Sequence, residues 1–194
     1  LQRGPIRFRQ NDVIACEGEA ADYVFLVVSG VVRRCKSFTN GDRSVVAFYL
    51  PGDLFGWSDQ KRHSLSVESV TDATVLFLKR SALLSLAARE SCVAAFVLDV
   101  TTRELRRAQE HALLMSVSAK SRVAKFLTDL GHRLGRAITI DLPMSHQDIA
   151  DHLGLTIETL SRTITGLQRS GIVSRSGSRM LTVDNNRLLT QLSE

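Results

Sequence analysis

The 194-residue chain holds no apolar run longer than seven residues; among the longest are Val45 to Leu50 and Val93 to Leu98, the latter preceded by Cys92. A membrane span needs about 20, so no segment is expected to cross a bilayer. No charged-then-apolar signal segment opens the chain. It begins at Leu1, and an N-terminal extension of the natural protein is expected. Cysteine is scarce: Cys16, Cys35 and Cys92 stand far apart. That excludes a disulfide scaffold and a CxxC-type zinc or iron–sulfur site within these residues, and a reduced, cytoplasmic setting is expected. The three thiols are read as structural. The five histidines, His63, His111, His132, His146 and His152, are dispersed. His146 and His152 lie six apart, off a common helix face, so no metal is expected. Nucleophile elbow, phosphate loop and paired carboxylates are all missing, and with them the expectation of an enzyme.

What is present is a core and an excess of base. Apolar residues make up 44% of the chain, enough to bury a real interior. The net charge of +5 leans toward an acidic partner such as nucleic acid. Up to about residue 80 the sequence reads as strands: Asp12–Ala15, Tyr23–Val28, Val31–Lys36, Val45–Leu50, Leu65–Val70 and Val75–Leu78. Turn residues separate them, with Asn40-Gly41 as the clearest hairpin marker. Many short strands at this spacing suggest a sandwich or barrel, and Phe55 and Trp57 are expected in its core.

After Ser81 the period changes to that of a helix. Ala94, Leu98, Thr101, Leu105, Ala108, Ala112 and Met115 recur in alternating steps of four and three. Such a seam can zip against a second copy of itself or pack on its own barrel, and the heptad favours a homodimer. Lys120 to Leu134 reads as a second helix closed by Gly135, and Ala137 to Leu142 as a short strand stopped by Pro143. The expected division is a barrel domain over 1–90, a dimerisation helix over 91–115 and a third domain over 116–194. The first two together carry 15 basic against 13 acidic residues and the last 10 against 7, so it is the more basic for its length.

Residues 144–177 are the informative stretch. Ser145-His146-Gln147-Asp148 has the form of a helix start, its hydroxyl able to cap the Asp148 amide. Gly154 suits the tight turn between two helices. On the helix that follows, Ile157, Leu160, Ile164 and Leu167 fall within about 80° of one another and read as the buried face. Glu158, Ser161, Arg162, Thr165 and Arg169 cluster roughly opposite. A helix lying in a DNA major groove needs that arrangement. Arg162 can donate twice to guanine, and Glu158 can accept from cytosine. An exposed Glu158–Arg162 pair on a solvated helix would be worth only a few tenths of a kcal/mol. The segment Arg175-Ser176-Gly177-Ser178-Arg179, before the strand Met180–Val183, suits a phosphate-contacting wing.

Leu155-Thr156-Ile157-Glu158-Thr159-Leu160-Ser161-Arg162, following Asp148-Ile149-Ala150-Asp151-His152-Leu153-Gly154, resembles the winged helix-turn-helix of the CRP/FNR superfamily. The E-x-x-S-R pattern is similar to its FNR branch, and the whole stretch most resembles the FixK type. Gly18-Glu19 and Pro51-Gly52-Asp53-Leu54-Phe55-Gly56 extend the resemblance to the barrel. It implies an α+β chain: a cyclic-nucleotide-binding-like jelly roll, a long dimerisation helix and a C-terminal winged helix-turn-helix. It also implies a transcription activator, acting as a homodimer on a TTGA-N6-TCAA-like palindrome in double-stranded DNA. RNA polymerase would be its second partner, and oxygen-limited or nitrogen-fixation genes its targets. Glu158 and Arg162 would read the G·C pair, Ser161 the neighbouring thymine and Ile157 a thymine methyl. Ser145, His146, Gln147, Thr156, Thr159, Arg169, Ser176, Ser178 and Arg179 would contact phosphates. The Gly41-Asp42 loop corresponds to a polymerase-contacting surface, although by its residues alone it is a hairpin tip.

Three departures from the family pattern bear on control. Cyclic-AMP-binding relatives follow the glycine of the barrel motif with Glu and place Arg before Ser-Ala; Trp57 and His63 stand at those places here. A neutral imidazole is a poor substitute for a bidentate guanidinium, so tight cyclic AMP binding is not expected. Leu76 occupies the barrel cysteine position of oxygen-sensing relatives, and no iron–sulfur cofactor is expected. Some FixK-type relatives carry a redox-sensitive cysteine where this chain has Ser145. The competing reading is an effector-dependent regulator whose barrel binds some other small ligand.

Overall fold

Eight short strands come first: β1 (Gln2–Phe8), β2 (Val13–Ala15), β3 (Tyr23–Ser29), β4 (Val32–Ser37), β5 (Arg43–Tyr49), β6 (Leu54–Phe55), β7 (Ser66–Ser69) and β8 (Ala73–Lys79). They are followed by α1 (Arg80–Ala87), α2 (Ser91–Leu114), α3 (Ala119–Arg133), β9 (Thr139–Asp141), α4 (His146–Leu153), α5 (Ile157–Arg169), β10 (Val173–Arg175) and β11 (Met180–Val183). This computed structural model describes residues 2–57, 61–135, 139–175 and 180–183. The chain divides into two compact units, Leu1–His111 and Ala112–Glu194. The division falls inside α2, a little before the expected break at Ser116.

In the first unit the strands form two four-stranded antiparallel sheets, ordered β1-β8-β3-β6 and β2-β7-β4-β5. Alternate residues point inward, and Phe25, Val27, Val32, Tyr49, Phe55, Val67, Val75 and Phe77 meet in one core. β1 was not anticipated, because Gly4-Pro5 reads as a turn. It pairs with β8 at the sheet edge, and a register shift between Arg3 and Ile6 accommodates the two residues. At the β4–β5 hairpin only Gly41 takes positive φ, at 89°. Asn40 instead accepts the Asp42 amide at 3.1 Å. The hairpin marker is right, but the loop is wider than a two-residue turn.

Helix α2 shows why one heptad count was not enough. Ala94, Leu98, Thr101, Leu105, Ala108 and Ala112 are all exposed, Leu98 at 68% and Leu105 at 58%. The series one residue earlier (Val93, Val97, Val100, Glu104, Arg107, His111, Leu114) is the covered one. Val100 packs with Val24 and Leu54 of the barrel. Tyr49 donates its hydroxyl to Glu104 at 2.9 Å, and Arg107 bridges Glu104 at 3.3 Å and Asp53 at 2.9 Å. The same Asp53 accepts the Leu50 amide at 2.8 Å. The helix therefore faces its own barrel with a mixed stripe and turns the apolar seam outward. Met115 departs from the seam: it lies one residue past the helix, half-buried.

The cysteine expectation holds only for Cys35, which is buried; Cys16 and Cys92 are exposed. Burial pushes the Cys35 thiol up to about 11, with Glu68 adding to the shift, so it stays a neutral, inert thiol. Phe55 is a core residue as expected, while Trp57 is only half-buried at the edge of the cluster around Val100. No helix among the described residues is long and apolar enough to cross a membrane.

In the second unit, α3 places Val123, Phe126, Leu127 and Leu130 inward. Ile149, Ala150 and Leu153 of α4 and Leu160, Ile164 and Leu167 of α5 are likewise buried. A three-stranded sheet ordered β10-β11-β9 completes the unit.

Candidate nucleic-acid interface

Two hydroxyl caps set the helices that would meet DNA. Ser145 precedes α4 with extended backbone, and its Oγ accepts the Asp148 amide at 3.0 Å. Thr156 does the same for α5, accepting the Thr159 amide at 3.2 Å. Each cap satisfies an N–H that helix geometry leaves without a partner. Gly154 closes α4 in the left-handed region at φ 60°, ψ 42°, and the Leu155 amide returns to the Ala150 carbonyl at 3.0 Å. Ser145→Ala is expected to lower the stability of this unit by about 1 kcal/mol. A thermal melt of the full chain checks this as a lower midpoint.

Leu160, Ile164 and Leu167 anchor α5 in the core. Ile157 does not share that burial; it is 39% exposed, at the edge of the apolar arc and next to Ser161. The correction moves Ile157 from the anchoring face to the presented one. Beside it Glu158, Ser161, Arg162, Thr165 and Arg169 are all exposed. Glu158 is held below the usual carboxylate range, first by its own backbone N–H, then by the Thr156 hydroxyl, with Arg162 the weakest cause. The Arg162 guanidinium stands 3.4 Å from the Thr159 hydroxyl, a marginal hydrogen bond. Acceptor and donor therefore stand side by side on an open face.

The remaining predicted contacts gather around this face or fall elsewhere. Ser145, Gln147 and Thr156 are exposed, and His146 and Thr159 half-exposed. Gln147 also donates to Asp151 at 2.6 Å. Ser176, Ser178 and Arg179 lie outside the described residues. The strands flanking them pair antiparallel, Val173 with Val183 and Arg175 with Leu181, as a hairpin requires. Gly41 and Asp42 are exposed at the β4–β5 tip. Sequence reasoning passed over Arg122, one of several basic residues on α3, because its partners are main-chain carbonyls, which no residue type marks.

The barrel interior does not fit a cyclic nucleotide. The Tyr49 and Phe55 rings stack at 3.8 Å and 13°, and Phe25 meets Phe55 at 5.4 Å and Phe77 at 5.1 Å. His63, at the expected phosphate position, is buried and lies 5.7 Å from the Phe25 ring. Its backbone pairs with Gly18 and Glu19, each at 2.8 Å. Burial, with help from Arg34, lowers its pKa and keeps the imidazole neutral. A neutral ring packed on an aromatic offers an anionic phosphate little.

Comparison with known proteins agrees with this geometry. Residues 5–90 match the cyclic nucleotide-binding domain family, and residues 121–192 match the Crp-like helix-turn-helix domain family. The nitrogen fixation regulation protein FixK of Azorhizobium caulinodans is 41% identical over 97% of this chain and 78% of its own length. The transcriptional activatory protein AadR of Rhodopseudomonas palustris is 38% identical over 87% of this chain and 72% of its own. The solved structure of FixK2 from Bradyrhizobium japonicum superposes with a TM-score of 0.91 at 39% identity, covering 98% of this chain and 96% of that one. The chain belongs to the CRP/FNR family of transcription regulators, among relatives of the FixK type.

Proposed function

We propose that this protein is a transcription activator that binds a TTGA-N6-TCAA-like palindrome as a homodimer without a small-molecule effector. The observation that carries the reading is the open face of α5, where Glu158, Ser161 and Arg162 stand exposed over a helix anchored by Leu160, Ile164 and Leu167. Arg162 and Glu158 read opposite members of one G·C pair. Ser161 and Ile157 meet the adjoining thymines. Ser145, His146, Gln147, Thr156, Thr159 and Arg169, with Ser176, Ser178 and Arg179 of the wing, hold phosphates and set the register. The outward seam from Ala94 to Ala112 joins two copies, and the domain division at 90 and 115 follows from these roles. The Gly41-Asp42 tip meets RNA polymerase. It acts in the cytoplasm, in oxygen-limited or nitrogen-fixation gene control, and the name of the Azorhizobium caulinodans relative supports the latter.

Fluorescence anisotropy at fixed salt, on the palindrome and a scrambled duplex, tests the reading. Specific binding is expected without additives and unchanged by cyclic AMP. Binding that appears only with the nucleotide would restore the effector-dependent reading, and absence of specific binding in both conditions would reject the half-site.

A further inference from the structure

Among the described residues, nothing in the fold requires a glycine at position 166. Glycine is the weakest helix former after proline, yet Gly166 lies inside α5. Other glycines of the second unit have their reasons. Gly135, Gly154 and Gly171 take φ of 63°, 60° and 70°, backbone that a side chain makes costly. Gly131 is buried on α3. Gly166 instead has helical backbone and is exposed. A Cβ built there would meet nothing within 4 Å among the described residues.

Its neighbours on the helix surface, three and four positions away, are Arg162, Thr163, Arg169 and Ser170. The two arginines are exposed. Thr163 donates its hydroxyl to the Thr159 carbonyl at 2.8 Å, and Ser170 donates to that of Leu167 at 3.1 Å. Thr165, one residue earlier, donates to the Ser161 carbonyl at 2.9 Å. With these hydroxyls turned back onto the helix, the main chain at Gly166 is bare between two cations. Glycine is the residue used where a ligand must come close to the backbone. All of these residues lie in the second unit.

We propose that Gly166 lets the main chain of α5 lie directly against the sugar–phosphate strand of the DNA. The inference rests on the palindrome reading above, in which Arg162 takes the guanine and Arg169 a phosphate. These two stand two turns apart, about 10 Å along the helix, and Gly166 lies between them. A deoxyribose in that interval presents C–H surface, which packs on bare backbone. A side chain at position 166 would hold α5 off the strand and draw Arg162 back from the base edge. Gly166 thus sets how deeply the helix enters the groove, while Glu158 and Arg162 set which bases it accepts there.

Gly166→Ala and Gly166→Leu in the full chain test this, since alanine and leucine are both strong helix formers. Thermal melting is expected to show Gly166→Ala with a midpoint about 2–4 °C above wild type. Anisotropy at fixed salt is expected to move the other way. Affinity for the palindrome should fall on the order of tenfold in Gly166→Ala, as the arginine–guanine contact weakens, and further in Gly166→Leu. Binding to a scrambled duplex, which rests on phosphate charge alone, should change by less than about twofold. If Gly166→Leu fails to fold, Gly166→Ala carries the comparison. Unchanged affinity for the palindrome in Gly166→Ala would overturn the proposal, and so would equal losses on both duplexes. A lowered melting midpoint in Gly166→Ala would overturn it as well, because the glycine would then serve the fold. Wild type that does not prefer the palindrome would instead reject the palindrome reading, and this inference with it.

Discussion

Arg162→Ala is expected to abolish discrimination at the G·C pair while leaving the fold intact. A good bidentate arginine–guanine contact is worth roughly 1–3 kcal/mol against the wrong base, so each half-site would lose about 5- to 150-fold in specificity. Two half-sites share the loss in a dimer. The competing account treats Glu158 and Arg162 as an exposed pair one helical turn apart, worth a few tenths of a kcal/mol. It predicts a change of less than about twofold in specific binding. The geometry favours the first account. Both side chains are exposed, and the Arg162 guanidinium makes a 3.4 Å approach to the Thr159 hydroxyl. Binding to a scrambled duplex should fall far less, because the phosphate contacts remain. Comparable losses on both duplexes would mean that Arg162 is a general phosphate contact.

A second large effect is expected from the seam. Leu98→Asp with Leu105→Asp places two carboxylates on an exposed stripe outside the barrel contact; these leucines are 68% and 58% exposed. The monomer should keep its fold. Sedimentation should show a single copy where wild type shows two. Specific DNA affinity should drop by about 10²-fold or more, because the second half-site no longer binds as part of one molecule. The control is on the same helix. A charge at Val100 or Leu114, 4% and 8% exposed, would be buried without a partner and would unfold the chain instead. A double variant that still sediments as a dimer would show that another face joins the copies.

The helix-turn-helix was the most legible part of the chain. Its signals are local: a hydroxyl three residues before the amide it caps, a glycine where the backbone turns left-handed, and an apolar period within one helix. Ser145, Gly154, Leu160, Ile164 and Leu167 play the parts their spacing implied, whereas the cap formed by Thr156 was not read from the sequence. Ile157 was placed on the buried face because periodicity weighs every apolar position of the arc alike, and it stands at the arc's edge, 39% exposed. The wing strands were legible from the same local pattern, but the residues between them lie outside the described structure.

The barrel was legible as a class and not in detail. β1 escaped because Gly4-Pro5 looks like punctuation, and β6 because two residues carry no period. Trp57 and His63 already argued against a phosphate cradle. That Tyr49 stacks on Phe55 and reaches Glu104 joins residues some fifty positions apart, and no local pattern announces it.

The sequence by itself determined that α2 would be long and would carry an apolar seam, that two capped helices would follow, and that Glu158 and Arg162 would share a face. Propensity, capping and periodicity act over a few residues, so they are written in neighbours. The tertiary structure alone decided which of two adjacent heptad series faces the barrel. Both have the same spacing, and only the barrel's Asp53, Tyr49, Val24 and Leu54 distinguish them. It alone also decided that Arg122 would bind three carbonyls from two separate segments, because a main-chain oxygen has no side-chain letter by which a sequence could reveal it.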